Sequence, residues 1–224
     1  MANITFWKSN WNEFDPTQNG GDITDQQITP GVSGDLIPPV RPFTAEVGGE
    51  RWVKFFIKTD ADIITTSLEM PMPTTCPTED VFYGLETKGD HTDVESDLDK
   101  DNFRLYGSFF VSSVDADNRK VVADRNVEAF IKADDRVSFW NLTTGERKTS
   151  MEVESVSGSE ITFKEWDDNG DVAGGDGGCS ILPLPDLNAD EYIGIWLKEV
   201  IQPFTKPMED PQNQIIFSVV YDDK

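Results

Sequence analysis

The chain has 224 residues and a mass of 25.1 kDa, long enough to bury a core, and its 37% hydrophobic and 11% aromatic content excludes disorder throughout. Its 42 acids against 19 bases give a net charge of −23, a field that repels nucleic acid and opposes adsorption to anionic membranes. The 13 prolines and 17 glycines fall between short apolar runs, the punctuation of strands and loops and so of an all-β fold.

Residues 1–8 carry neither a basic leader region nor a long apolar run, and no stretch approaches the length that spans a bilayer. The expectation is synthesis in a cytoplasm, with no cofactor required. Ile4 to Trp7 predict a short first strand. A loop-rich stretch follows over residues 10–48, with turn signals at Asn19-Gly20-Gly21, Pro30-Gly31 and Pro38-Pro39. A loop this long predicts an arm that packs on a sheet edge or on a neighbour.

Residues 51–58 give the clearest early strand. Val53, Phe55 and Ile57 share one face, and Trp52, Lys54, Phe56 and Lys58 share the other. Strands are also predicted over 63–70 and 81–86, separated by Pro71, Pro73 and Pro77. Near the end, Ile193, Ile195 and Leu197 alternate with Tyr192, Gly194 and Trp196, and Ile215, Phe217, Val219 and Tyr221 line one side of a closing strand. Pro203, Pro207 and Pro211 make the connection between these two a loop.

The middle of the chain has a different texture. From about Phe103 to Phe163 short strands alternate with tight polar turns, a meander whose nearest physical analogue is a small SH3-like or OB-like barrel. Residues 126–132 predict one or two helical turns capped by Asp124 or Asn126. Residues 167–179 are too rich in Gly and Asp to predict packing and read as a flexible linker. The domain reading is therefore a jelly-roll-like β-sandwich from residues 1–105 and 180–224, with a barrel at 106–166 inserted and a linker at 167–179.

Little here spells out chemistry. The one histidine, His91, lies between Asp90 and Asp93 in a polar loop and reads as exposed. No nucleophile elbow, phosphate loop or zinc motif occurs. Gly174 to Gly178 include Asp176 and lack a following helix, which disfavours phosphate. Asp97, Asp99 and Asp101 place oxygens at alternate positions, the spacing of a Ca²⁺ loop. Asn102 and Ser108, however, stand where that pattern needs Gly and Glu, so a solvated acidic turn is the competing reading. Trp52, Trp140 and Trp196 sit in predicted strands and are expected in the core. Trp11 and Trp166 are the candidates for a sugar-binding surface. Cys76 and Cys179 lack close partners and are expected as free thiols.

Two end segments resemble a known group. Ile4-Thr5-Phe6-Trp7-Lys8, then Gly48-Gly49-Glu50-Arg51-Trp52-Val53-Lys54-Phe55-Phe56-Ile57-Lys58, and a final hairpin from Tyr192-Ile193-Gly194-Ile195-Trp196-Leu197-Lys198 through Val219, resemble small tailed-bacteriophage virion proteins. The likeness covers roughly half of the chain and leaves out the middle. It implies a β-sandwich subunit without catalytic residues, placed outside the particle as a decoration, neck/collar or tail accessory protein. It also implies that the partners are other copies of the chain and other phage structural proteins. The alternative is a receptor- or glycan-binding module of a tail or fibre.

Overall fold

The computed structural model describes residues 2–32, 35–72, 79–204 and 215–223. In chain order the elements are β1 (Ile4–Lys8), α1 (Pro42–Val47), β2 (Gly49–Thr59), β3 (Ile63–Met72) and β4 (Glu79–Leu85). There follow β5 (Ser108–Asp115), β6 (Lys120–Ala123), β7 (Arg136–Asn141), β8 (Glu146–Ser157), β9 (Glu160–Phe163) and β10 (Gly177–Ser180). β11 (Leu182–Pro183), β12 (Tyr192–Ile201) and β13 (Ile216–Asp223) complete the chain. Strand is 47% and helix 4%, so the all-β class holds.

Both chain ends build one sandwich. The first sheet runs β1-β2-β12-β4 and the second β11-β3-β13, with antiparallel pairing throughout. Val53, Phe55 and Ile57 turn inward with Ile193, Ile195 and Leu197, as their alternation predicts, and meet Leu68 and Met70 of the second sheet. Phe217, Val219 and Tyr221 pack on the same core. Each large apolar side chain so buried contributes about 1.5–3 kcal/mol.

The long segment after β1 is spent on its own chain. Its residues bond back to the first strand, Lys8 N–H to Gln26 O at 2.9 Å and Ile28 N–H to Phe6 O at 2.8 Å. Asn19 is 1% exposed and donates to Trp52 O at 2.8 Å. The expected arm over residues 10–48 is thus, where described, a cover for the first sheet, and it holds the short helix α1, opened by Pro42.

Residues 107–180 form a second, closed barrel of order β10-β5-β6-β9-β8-β7 around Phe109, Phe139, Val153, Ile161 and Phe163. Its ends meet where Ser180 N–H donates to Gly107 O at 3.0 Å, so the barrel is an insertion with adjacent entry and exit. The expected linker at 167–179 is overturned at its end. Gly177, Gly178 and Cys179 lie in β10, which is fully buried and closes the barrel between β5 and β7. Glycine is what makes this possible. A Cβ on Gly178 would lie 2.2 Å from the Phe109 ring, and one on Gly177 would lie 2.2 Å from Pro71 O in the sandwich. Residues 126–132 make a single turn closed by Ile131 N–H to Val127 O, with Asn126 Oδ1 accepting from Glu128 N–H. The reading of one helical turn capped by Asn126 holds, and no helix follows.

Candidate functional site

The outward face of β2 and β12 is as closed as the inward one. Trp52 and Trp196 are 2% and 0% exposed, covered by residues 10–22 and by the segment 86–106 with its 3-10 turn at Glu95–Asp97. Lys54 stands between them in this layer, its side chain wholly buried. An ammonium taken out of water requires partners. Lys54 Nζ lies 2.5 Å from Asp93 Oδ1 and 3.1 Å from Glu86 Oε2, and it donates to His91 O at 2.7 Å and Gly21 O at 3.0 Å. The Phe56 ring centroid is 4.7 Å from the same nitrogen.

The carboxylates are held as firmly. Asp93 Oδ2 accepts from Thr87 N–H at 2.9 Å, Thr87 Oγ1 at 3.1 Å and Trp196 Nε1 at 2.9 Å. Burial by itself would push the Asp93 carboxyl up; the hydrogen bonds from Lys54, Thr87 and Trp196 outweigh it and hold the carboxyl below its ordinary range. Glu86 Oε1 accepts from Gly194 N–H at 2.7 Å and lies 2.6 Å from His91 Nδ1. Gly194 leaves room for the group, since a Cβ there would sit 2.3 Å from Glu86 Oε2 and 2.6 Å from Lys54 Cε. His91 is not the exposed loop residue its neighbours suggest. Its side chain is 27% exposed, packed at 4.8 Å between ring centroids on Tyr192.

A second buried polar group joins the two domains. Glu69 of β3, 0% exposed, accepts from Ser138 Oγ at 2.6 Å and Trp140 Nε1 at 2.9 Å in β7, and Arg147 Nη2 of β8 lies 3.0 Å from it. Cys179 packs here with Sγ 3.1 Å from Ser138 Oγ, and it is a free thiol. Its pKa is pushed up to about 12, first by burial and then by the Glu69 charge. Cys76 lies outside the described residues.

The calcium spacing is not assembled into a ligand set. Asp97 Oδ2 is taken by Lys88 Nζ at 2.7 Å and Val94 N–H at 3.0 Å, Asp99 by Asn102 Nδ2 at 2.8 Å, and Asp101 is exposed. Among the described residues no group of three acidic, His or Cys side chains is placed to hold a metal ion. Trp11 and Trp166 are half-buried, each packed on a core. Beside α1 a hollow of about 240 Å³ is lined by Trp11, Phe14, Phe43, Val47 and Trp52, with Phe14 and Phe43 each 72% exposed.

Sequence reasoning missed the Lys54 group and the Glu69 group, because Asp93 lies 39 residues from Lys54 and 103 from Trp196, and Ser138 lies 69 residues from Glu69, with no spacing rule. One signal was present: Lys54 alternates with Trp52 and Phe56, so the second face of its strand is also apolar and a lysine there is buried. Comparison with protein-family models, curated proteins and solved structures returns no match.

Proposed function

We propose that this chain is a non-enzymatic structural component of a bacteriophage particle, an external accessory protein that binds other copies of itself and other virion proteins. The observation that carries the reading is the placement of the segments that resemble tailed-phage virion proteins. β1, β2 and β12 are consecutive neighbours in one sheet, whereas β13 pairs with β3 in the second sheet and forms no hairpin with β12, so the likeness falls on three adjacent strands and on one strand across the core from them. The buried ionisable groups also support it, since Lys54 faces Asp93 and Glu86 and ties a loop to its strand, while Glu69 faces Arg147 and ties the two domains together. The net charge of −23 suits an outer surface kept away from packaged nucleic acid.

The test is detection and copy counting of the protein in purified particles by quantitative mass spectrometry. A fixed multiple-copy stoichiometry supports the reading, and absence from particles sinks it. The aromatic hollow beside α1 favours a second reading, a glycan-binding module. Saccharide binding on an array that is lost in Trp11→Ala would select it over the first.

A further inference from the structure

We propose that the buried Lys54 and Asp93 side chains condense to an internal amide that covalently fastens the loop 86–97 to β2. Three observations converge on that pair. Lys54 Nζ is 2.5 Å from Asp93 Oδ1, and both side chains are 0% exposed. The other oxygen, Oδ2, already receives three donors, from Thr87 N–H, Thr87 Oγ1 and Trp196 Nε1, the arrangement that stabilises negative charge on a carbonyl oxygen under attack. A second carboxylate oxygen, Glu86 Oε2, stands 3.1 Å from the same nitrogen, buried and without a hydrogen-bond donor of its own, a vacant acceptor for a proton leaving Nζ.

The step balances without any further reactant. It starts from the ammonium and the carboxylate. One proton passes along the Nζ–Oδ1 hydrogen bond to Asp93 Oδ1, leaving a neutral amine beside a neutral acid, an uphill step because the donors from Thr87 and Trp196 favour the carboxylate. The Nζ lone pair forms the N–C bond to Cγ, and the C=O electron pair moves onto Oδ2, held by its three donors. A second proton passes from Nζ through Glu86 to Oδ1, which leaves as water while the Oδ2 double bond re-forms. The amide keeps the third proton, and Glu86 ends as it began. Fixing the two groups in contact supplies the effective concentration that such a reaction lacks in free solution, and burial keeps water from reversing it. His91 O and Gly21 O, both accepting from Nζ, hold the nitrogen in place until it reacts.

Intact mass spectrometry of the purified full chain should read one water below the sequence mass. Ring closure at Asp176-Gly177 also loses a water, so the deciding observation is a branched tryptic peptide that joins Lys54 to Asp93, with cleavage after Lys54 lost. Asp93→Asn should give the same branched peptide and the same final mass as the wild type, because ammonia then leaves in place of water. Lys54→Arg keeps a cation that does not condense and should show the full sequence mass. Glu86→Gln should slow branching at least tenfold after refolding. Folded wild-type protein that is cut normally after Lys54 and yields an unbranched Asp93 peptide overturns the proposal, whether or not Lys54→Arg folds. Branching at the wild-type rate in Glu86→Gln overturns the relay assigned to Glu86.

Discussion

Glu69 brings a negative charge into the junction between sandwich and barrel, and the barrel answers it with Ser138, Trp140 and Arg147. Truncation at such a place costs more than the contacts contribute, because the partners remain buried without an acceptor. Glu69→Ala should therefore lower the free energy of unfolding by about 2–4 kcal/mol, read from urea denaturation. Glu69→Gln, which keeps an acceptor oxygen, should lose less. Cys179 at the same junction gives a chemical readout. Its thiol, pushed up to about 12, stays protonated in the folded protein. A thiol-reactive probe at mildly alkaline pH should leave the Cys179 peptide unlabelled in the native state and label it after unfolding. The sign for stability follows: the folded value is raised, so this contribution is complete below the ordinary thiol range and is lost as pH rises above it. Neither residue announced its role in the sequence. Glu69 lies in a strand predicted over residues 63–70, and its partners are about 70 positions away; a buried acid is legible only once the surface that covers it is known.

At the level of elements, alternation was a reliable guide wherever the strand has two distinguishable sides. Val53, Phe55 and Ile57 in β2 and Phe217, Val219 and Tyr221 in β13 all point where period-two patterning sends them. It failed at β10, because a Gly-Gly-Cys-Ser strand carries almost no side-chain pattern and its composition imitates a linker. The glycines there answer a packing need. The Phe109 ring fills the space where a side chain on Gly178 would go, at a backbone conformation that itself permits other residues. Gly178→Ala should therefore act by overpacking, with a cost of about 1–3 kcal/mol, seen as a lower denaturation midpoint. Gly89→Ala, at a glycine with nothing nearby and no positive φ, should be close to neutral in the same assay. Equal effects at both sites would refute the packing account.

For the whole molecule, the division into sandwich and inserted barrel was legible because hydrophobic texture changes on either side of the insertion; the joint itself was not. The barrel has its own core and closes on itself through Ser180 N–H and Gly107 O. It is nonetheless fastened to the sandwich by Glu69, by Tyr83 Oη donating to Ser180 O at 2.6 Å, and by the Phe82 and Phe130 rings at 5.6 Å. Self-sufficient cores predict that each unit folds alone, while a shared buried charge predicts that they unfold together when joined. Residues 105–181 expressed alone should thus give dispersed amide resonances and a cooperative melt, at a lower temperature than the intact chain. The intact chain should melt in one transition by both near-ultraviolet dichroism and calorimetry, and Glu69→Ala should split that transition into two. The mutation acts on the joint and leaves both cores intact, so a single transition retained in Glu69→Ala would mean that the joint draws its cohesion from the apolar contacts around Phe82 and Phe130 rather than from the buried carboxylate.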